Sequence, residues 1–309
     1  NPHNNRSLIM IRKFTQLILL SCLFFIPLQS LHAQLSDTAS WTATVQNDFR
    51  VISNITYLKA NNMELKVDVY LPRNAEGPAP TFIYYHGGGW VGGSKEVNIL
   101  RLLPYLEQGW AAVNVQYRLG QVSLAPAAVE DSLCALRWVA RNAEEYGFDT
   151  DRLVVSGNSA GGHLALTSGM LPSDTDLALQ CLGTESPAVA AIVNWYGITD
   201  VVDLLDGANE KAYAVRWMGS QPNRREIADR VSPMKYVRAD LPPIITIHGN
   251  ADPTVPYAHA VQLHEALDQV EIRNQLITVP NGRHGGFPAE EMLRIYDGVF
   301  KFLDENLPN

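Results

Sequence analysis

The sequence predicts an α/β fold: a mostly parallel central sheet with helices on both faces. Three observations predict it. Short, continuously apolar runs recur at 81–85, 111–115, 153–155, 190–193 and 244–247, as strands buried on both faces require, and 272–279 reads as a last strand. Helical patterns lie between the runs, the clearest over about 126–146, with Leu133, Leu136, Val139 and Ala140 at helical spacing and Gly147 as its stop. Strands that alternate with helices pair in parallel, and such a sheet gathers functional groups at the carboxyl ends of its strands.

Ahead of this region, 51–58 and 63–71 are alternating, β-branched runs separated by Asn61-Asn62, which predicts an antiparallel pair. No linker, repeat or low-complexity stretch interrupts residues 34–309, so they read as one domain. The span 203–243 is longer than a crossover needs and carries Tyr213, Trp217, Met218 and Tyr236. It is expected to form a small cap over the strand ends.

Residues 1–33 read as a secretory signal with some upstream residues. Met10-Ile11-Arg12-Lys13 supplies a basic start, 17–28 an apolar stretch, and Leu31-His32-Ala33 a small-residue exit before Gln34. The apolar stretch is shorter than the ~20 residues a membrane-spanning helix needs. Export to the periplasm or the medium, with no stable membrane span after removal, is the expectation. Leu19-Leu20-Ser21-Cys22 resembles a lipoprotein box only faintly, because Leu23-Phe24-Phe25-Ile26 continues the apolar run. Cys134 and Cys181 then remain, a number that permits one bridge in an oxidising compartment without requiring it.

A composition of 46% hydrophobic and 18% charged residues is that of a globular protein, and 309 residues suffice for a sizeable core. The formal net charge is −8, and the expected signal holds Arg6, Arg12 and Lys13 but no acid. The rest of the chain is therefore more acidic still, which argues against a nucleic-acid partner. No cysteine and histidine grouping has metal-ligand spacing, so neither a metal nor another cofactor is implied.

The chemistry is carried by three motifs. Gly157-Asn158-Ser159-Ala160-Gly161 fits G-x-S-x-G between a β-branched run and an Ala/Leu-rich helix. A tight strand-to-helix turn there exposes Ser159 as a nucleophile, and small residues two positions either side let strand and helix approach. Tyr85-His86-Gly87-Gly88-Gly89-Trp90 follows the first buried strand. Its glycines can turn backbone N–H groups inward as an oxyanion hole, with Gly88, Gly89 and the amide of Ala160 as donors and Gly87 as a lesser candidate. A phosphate loop is the rival reading, but no Lys-Ser/Thr follows the glycines.

Asp252, in the loop after 244–247, lies where a carboxylate can orient an imidazole, and His284, in the flexible loop Asn281-Gly282-Arg283-His284-Gly285-Gly286 after the last strand, lies where a base can reach Ser159. Asp200 is the alternative acid. His86 is expected to brace its loop rather than act as a base, and Arg118 with Asp131 to form a structural ion pair. Trp90 either lines the substrate site or packs beneath the loop; Trp217 and Tyr213 either wall that site or pack within the insert.

His86-Gly87-Gly88-Gly89, Tyr117-Arg118-Leu119, Pro126-Ala127-Ala128 with Glu130-Asp131, and the residues from Gly157 to Gly162 resemble the hormone-sensitive-lipase-like branch of the α/β-hydrolases. The chain is more closely similar to bacterial secreted carboxylesterases that remove acetyl or feruloyl groups from plant polysaccharides, over roughly residues 65–303. The resemblance implies the α/β-hydrolase fold, a small-molecule or carbohydrate-linked ester substrate, and a Ser159–Asp252–His284 triad. The chain departs from it at Gly120-Gln121-Val122-Ser123, where Ala-Pro-Glu is usual, and in having only residues 34–50 for an N-terminal lid.

Three other functions fit less well. A formamidase also uses a His-Gly-Gly-x-Trp loop. A secreted peptidase on this fold would bring a gating domain, and no repeat is present. A non-catalytic binding module would have lost a triad member.

Overall fold

A computed structural model describes residues 37–308. The expected signal segment and the lipoprotein-like Cys22 lie outside the described residues. Residues 45–309 form one compact unit, and of the chain before it only the opening of helix α1 (Asp37–Asp48) is described.

This unit is built on one eight-stranded sheet. Its strands are β1 (Phe49–Ala60), β2 (Met63–Pro72), β3 (Ala79–Tyr85), β4 (Ala111–Val115), β5 (Phe148–Asn158), β6 (Ala191–Trp195), β7 (Ile244–Gly249) and β8 (Asn274–Val279), in the spatial order β1-β2-β4-β3-β5-β6-β7-β8. β1 and β2 form the expected antiparallel pair, with Asn61 and Asn62 in left-handed backbone at the turn. β2 also runs antiparallel to β4, and every later pairing is parallel.

The apolar runs are apolar throughout because both sheet faces are covered. Alternate residues split between two cores, as the two-residue period of a strand dictates. Ile83, Tyr85, Val113, Val155 and Ile192 face one core, with α3 (Ala127–Arg141) and α5 (Ala160–Met170). Phe82, Tyr84, Ala112, Val154 and Val193 face the other, with α2 (Leu103–Glu107) and α9 (Ala289–Asn306).

The single helix expected over 126–146 is two. α3 stops at Asn142, whose side-chain amide donates to the Trp138 carbonyl at 2.7 Å, and α4 (Ala143–Tyr146) follows. An amide side chain that bonds backbone in this way competes with helix continuation. Gly147 closes α4 in the left-handed conformation, at φ 69°. The insert holds short 3-10 turns with α6 (Ala212–Met218) and α7 (Arg224–Arg230), before β7 and then α8 (Ala258–Gln269).

Cys134 and Cys181 form a disulfide that ties α3 to the segment before β6. It closes a loop of 47 residues, for which chain-entropy arguments give about 4 kcal/mol of stabilisation. Reduction, or a Cys134→Ala/Cys181→Ala pair, is expected to lower the free energy of urea unfolding by up to about that amount. An unchanged midpoint would show that the bridge does not constrain the unfolded chain.

Arg118 donates to both carboxylate oxygens of Asp131 at 2.7–3.0 Å, to Glu130 at 3.1 Å and to Asn61 at 2.7 Å. It thus joins the β1–β2 turn to α3, the structural ion pair expected from sequence. Among the described residues no helix is long and apolar enough to cross a membrane.

Candidate active site

Ser159 sits between β5 and α5 at φ 57°, ψ −120°, a conformation that L-residues avoid. The glycines around it explain how the turn closes. A Cβ on Gly161 would lie 2.0 Å from the Tyr85 carbonyl oxygen, and one on Gly157 would lie 2.3 Å from that of Gly161. Strand, helix and oxyanion loop meet here without room for a methyl group.

The loop after β3 turns through Gly88 (φ 125°), Gly89 (φ 59°) and Trp90 (φ 59°), and the Gly88 carbonyl accepts from the amides of Val91 and Gly92. The amides of Gly88, Gly89 and Ala160 have no acceptor among the described residues, so they are free to bind an oxyanion. The Gly87 amide is not, because it donates to Asn158 Oδ1 at 3.1 Å. The same oxygen accepts from Tyr84 Oη at 2.7 Å. Asn158, the residue before Ser159, therefore clamps the oxyanion loop to the nucleophile turn. Sequence reasoning missed this role, because that position of G-x-S-x-G carries no compositional signal.

His86 braces the loop, as expected. Its Nδ1 donates to the Gly87 carbonyl at 2.7 Å, its ring stacks on Tyr117 at 4.2 Å, and the Tyr117 hydroxyl donates to the His86 carbonyl. Burial lowers its pKa to about 4, so the ring is neutral.

Asp252 and His284 meet: Nδ1 of His284 donates to Oδ2 at 2.6 Å. Oδ1 accepts the amides of Thr254 at 2.7 Å and Val255 at 3.1 Å. A second imidazole, that of His248, also reaches Oδ2, with Nε2 at 3.1 Å. Because Nε2 of His248 also lies 3.2 Å from the Val255 carbonyl, an acceptor only, it carries the proton. The position of His248 four residues before Asp252 was the signal available in the sequence. The Asp252 side chain is fully buried, which alone would raise its pKa. Hydrogen bonds from His248 and His284 outweigh burial and hold it well below the usual carboxylate range. A depressed carboxylate stabilises the fold at pH above the unfolded value of about 3.9, and that contribution is lost as pH falls below it.

Ser159 reaches the same rim. Its amide donates to the Trp195 carbonyl at 2.9 Å, and the ring of the next residue, Tyr196, lies 4.6 Å from that of His284. No hydrogen bond joins Ser159 Oγ to a described residue. Catalytic bonds of this kind are commonly long in an empty site and tighten with substrate bound. The His284 side chain is 21% exposed and Ser159 keeps 7% of its surface, so both are open to solvent. Asp200 plays no part here. Its carboxylate caps its own turn, accepting the amides of Val202 and Asp203.

The reading of Trp90 and Trp217 as substrate walls is corrected. Both are completely buried and stack on each other at 4.1 Å, and Trp90 Nε1 donates to His163 Nδ1. Their apolar area holds the insert onto the sheet beneath the site. Tyr213 is only partly buried. It packs on Gly89, where a Cβ would come within 2.8 Å of its own, and its hydroxyl donates to the Thr254 carbonyl. It thus spans the loops that carry Gly89 and Thr254. A groove of about 390 Å³ lined by Ser168, Gly169, Arg238 and Leu241 lies at the far end of α5 from Ser159 and is separate from this site. Among the described residues no cluster of His, Cys, Asp and Glu could hold a metal.

A parallel sheet flanked by antiparallel strands, with a strained serine after its central strand and an acid and a histidine on later loops, defines the α/β-hydrolase fold. The chain belongs to the BD-FAE family, an α/β-hydrolase esterase family whose profile matches residues 67–267. It is 30% identical to esterase LipC of Mycobacterium tuberculosis over 222 residues, 67% of this chain and 53% of that one. The chain spans about half the length of the curated relatives it matches. Among solved structures it resembles the propionate-bound esterase Est2 of Thermogutta terrifontis, with a TM-score of 0.71 and 27% identity, over 85% of this chain and 96% of that one. It also resembles a truncated carbohydrate esterase from gut microbiota, with a TM-score of 0.68 and 25% identity, over 82% and 96%.

Proposed function

We propose that the protein is a serine carboxylesterase that cleaves short acyl groups, acetyl or feruloyl, from carbohydrate alcohols, through an acyl-enzyme on Ser159. The observation that carries this reading is the strained Ser159 turn sharing a rim with the 2.6 Å Asp252–His284 pair. His284, with Nδ1–H committed to Asp252, presents Nε2 as the base. It takes the Ser159 proton as Oγ attacks the ester carbonyl. The amides of Gly88, Gly89 and Ala160 receive the oxyanion, donors of a kind worth about 3 kcal/mol each. His284 then protonates the departing alkoxide, and water repeats the sequence on the acyl-enzyme. The propionate held by Est2 supports the acyl size, and the likeness to a carbohydrate esterase from gut microbiota supports the substrate class. The disulfide and the basic-then-apolar start of the sequence support export to the periplasm or the medium.

A panel of p-nitrophenyl esters of rising chain length, run beside acetylated xylan and methyl ferulate, tests the reading. Activity is expected to be highest on acetate to butyrate and to fall beyond, with release of acetate or ferulate from the carbohydrate and cinnamate substrates. Faster turnover of long-chain esters would overturn the substrate class. Turnover of N-formyl amides alone would overturn the esterase reading itself.

A further inference from the structure

The geometry points to Arg101, with Tyr196, as a subsite for a carboxylate carried by the alcohol portion of the ester. This deepens the esterase reading and rests on it.

Arg101 ends the 3-10 turn Lys95–Arg101 and is half-buried. Its Nη2 donates to the Tyr196 hydroxyl at 3.0 Å, and its guanidinium lies 5.7 Å from the centre of the Trp195 ring. The other titratable groups around it are the phenols of Tyr84 on β3 and Tyr296 on α9. No acid lies within ion-pair distance of it among the described residues. The two fully buried cations differ in this respect: Lys95 is paired with Asp68 at 2.6 Å, and Arg118 with Asp131 at 2.7 Å. A partly desolvated guanidinium among rings, with no carboxylate, is an open fork suited to bidentate recognition of one.

Its position gives the vacancy a meaning. Tyr196 contacts both Arg101 and His284. The Tyr196 ring packs on the imidazole at 4.6 Å, and its hydroxyl lies 2.7 Å from where a Cβ on Gly285 would stand. His284 is the group that protonates the leaving alkoxide, so Arg101 flanks the alcohol side of the scissile bond rather than the acyl side. The chain carries a net charge of −8, which disfavours anionic substrates at long range. A local cation beside the leaving group offsets this only for a substrate whose anion reaches it. The chemistry fits an acylated alcohol bearing a carboxylate, either a sugar acid or an aryl acid.

The test compares matched acetate esters: 4-acetoxybenzoate against 4-acetoxybenzamide, and an acetylated methyl uronoside against the corresponding acetylated methyl hexoside. For at least one pair, kcat/KM is expected to favour the carboxylate about tenfold, through KM. The ratio should fall to about one in Arg101→Gln and to an intermediate value in Arg101→Lys, which keeps charge but not the planar fork. Reading a ratio removes any general loss of activity in the variants. A preference in the sugar pair assigns the site to uronosyl units, and one confined to the aryl pair assigns it to aryl acids. No preference in either pair, or a preference that survives Arg101→Gln, overturns the subsite. Absence of hydrolysis of all four esters would instead overturn the esterase reading.

Discussion

Replacing Ser159 with alanine is expected to lower kcat about 10⁶-fold while leaving the melting temperature unchanged; glycine at the same position should be equally inactive but more stable. The loss of activity follows from removing the nucleophile, whose residual background is whatever the oxyanion donors and binding supply. The split in stability follows from the backbone. At φ 57°, ψ −120° any side chain with a Cβ is strained, at a cost of about 1–3 kcal/mol, so alanine inherits what serine pays. Ser159 Oγ makes no hydrogen bond to a described residue, and the backbone amide keeps its bond to Trp195 in either variant. Glycine escapes the strain at an entropic cost of about 0.5–1 kcal/mol, which leaves a net gain of about 1 kcal/mol. For a domain of this size that is roughly 2–4 °C in Tm by calorimetry. A glycine variant that melts with or below the alanine variant would show that the turn stores no strain.

The parts of this site that were legible in the sequence are those whose chemistry forces a local pattern. A serine that must stand on a strained turn needs Gly157 and Gly161, because carbonyl oxygens occupy the space a methyl group would take. An amide cradle needs Gly88 and Gly89 for their positive φ. Both demands act within a few residues, so a single sequence displays them. The meeting of Asp252 and His284, the candidate acid and base, was legible through the loops that follow buried strands. The antiparallel β1–β2 pair and the parallel strands were legible because burial on one face or two imposes different periods.

What was hidden depends on contacts between distant segments. Trp90 follows the oxyanion glycines, yet nothing nearby tells an exposed aromatic wall from one stacked on Trp217. Cys134 and Cys181 are 47 residues apart, and their pairing is a property of how α3 lies against the segment before β6. Asn158 and His248 act through Oδ1 and Nε2 on partners set by the tertiary fold. The break of α3 at Asn142 is local, but an amide side chain within a helical pattern is too common to mark it.

The hydrogen bonds around Asp252 make Asp252→Asn more than the loss of a charge. Oδ1 is held by two backbone donors, the amides of Thr254 and Val255, and only an oxygen can satisfy both. The new amide group is therefore forced into the place of Oδ2, pointing N–H bonds at Nδ1 of His284 and Nε2 of His248. His284 can accept such a bond only by moving its proton to Nε2, the atom that must receive the proton of Ser159. The base is then in the wrong tautomer, and kcat should fall about 10⁴-fold with little change in KM. His248 cannot make the same adjustment freely, because its Nε2–H is also committed to the Val255 carbonyl. The clash should cost a further 1–3 kcal/mol or so of folding stability. The two effects are separable: ¹⁵N shifts of the His284 ring report the tautomer, and urea unfolding reports the strain. His284 remaining protonated at Nδ1 in the asparagine variant would mean that Thr254 and Val255 do not fix the carboxylate, and that Asp252 acts through its charge alone.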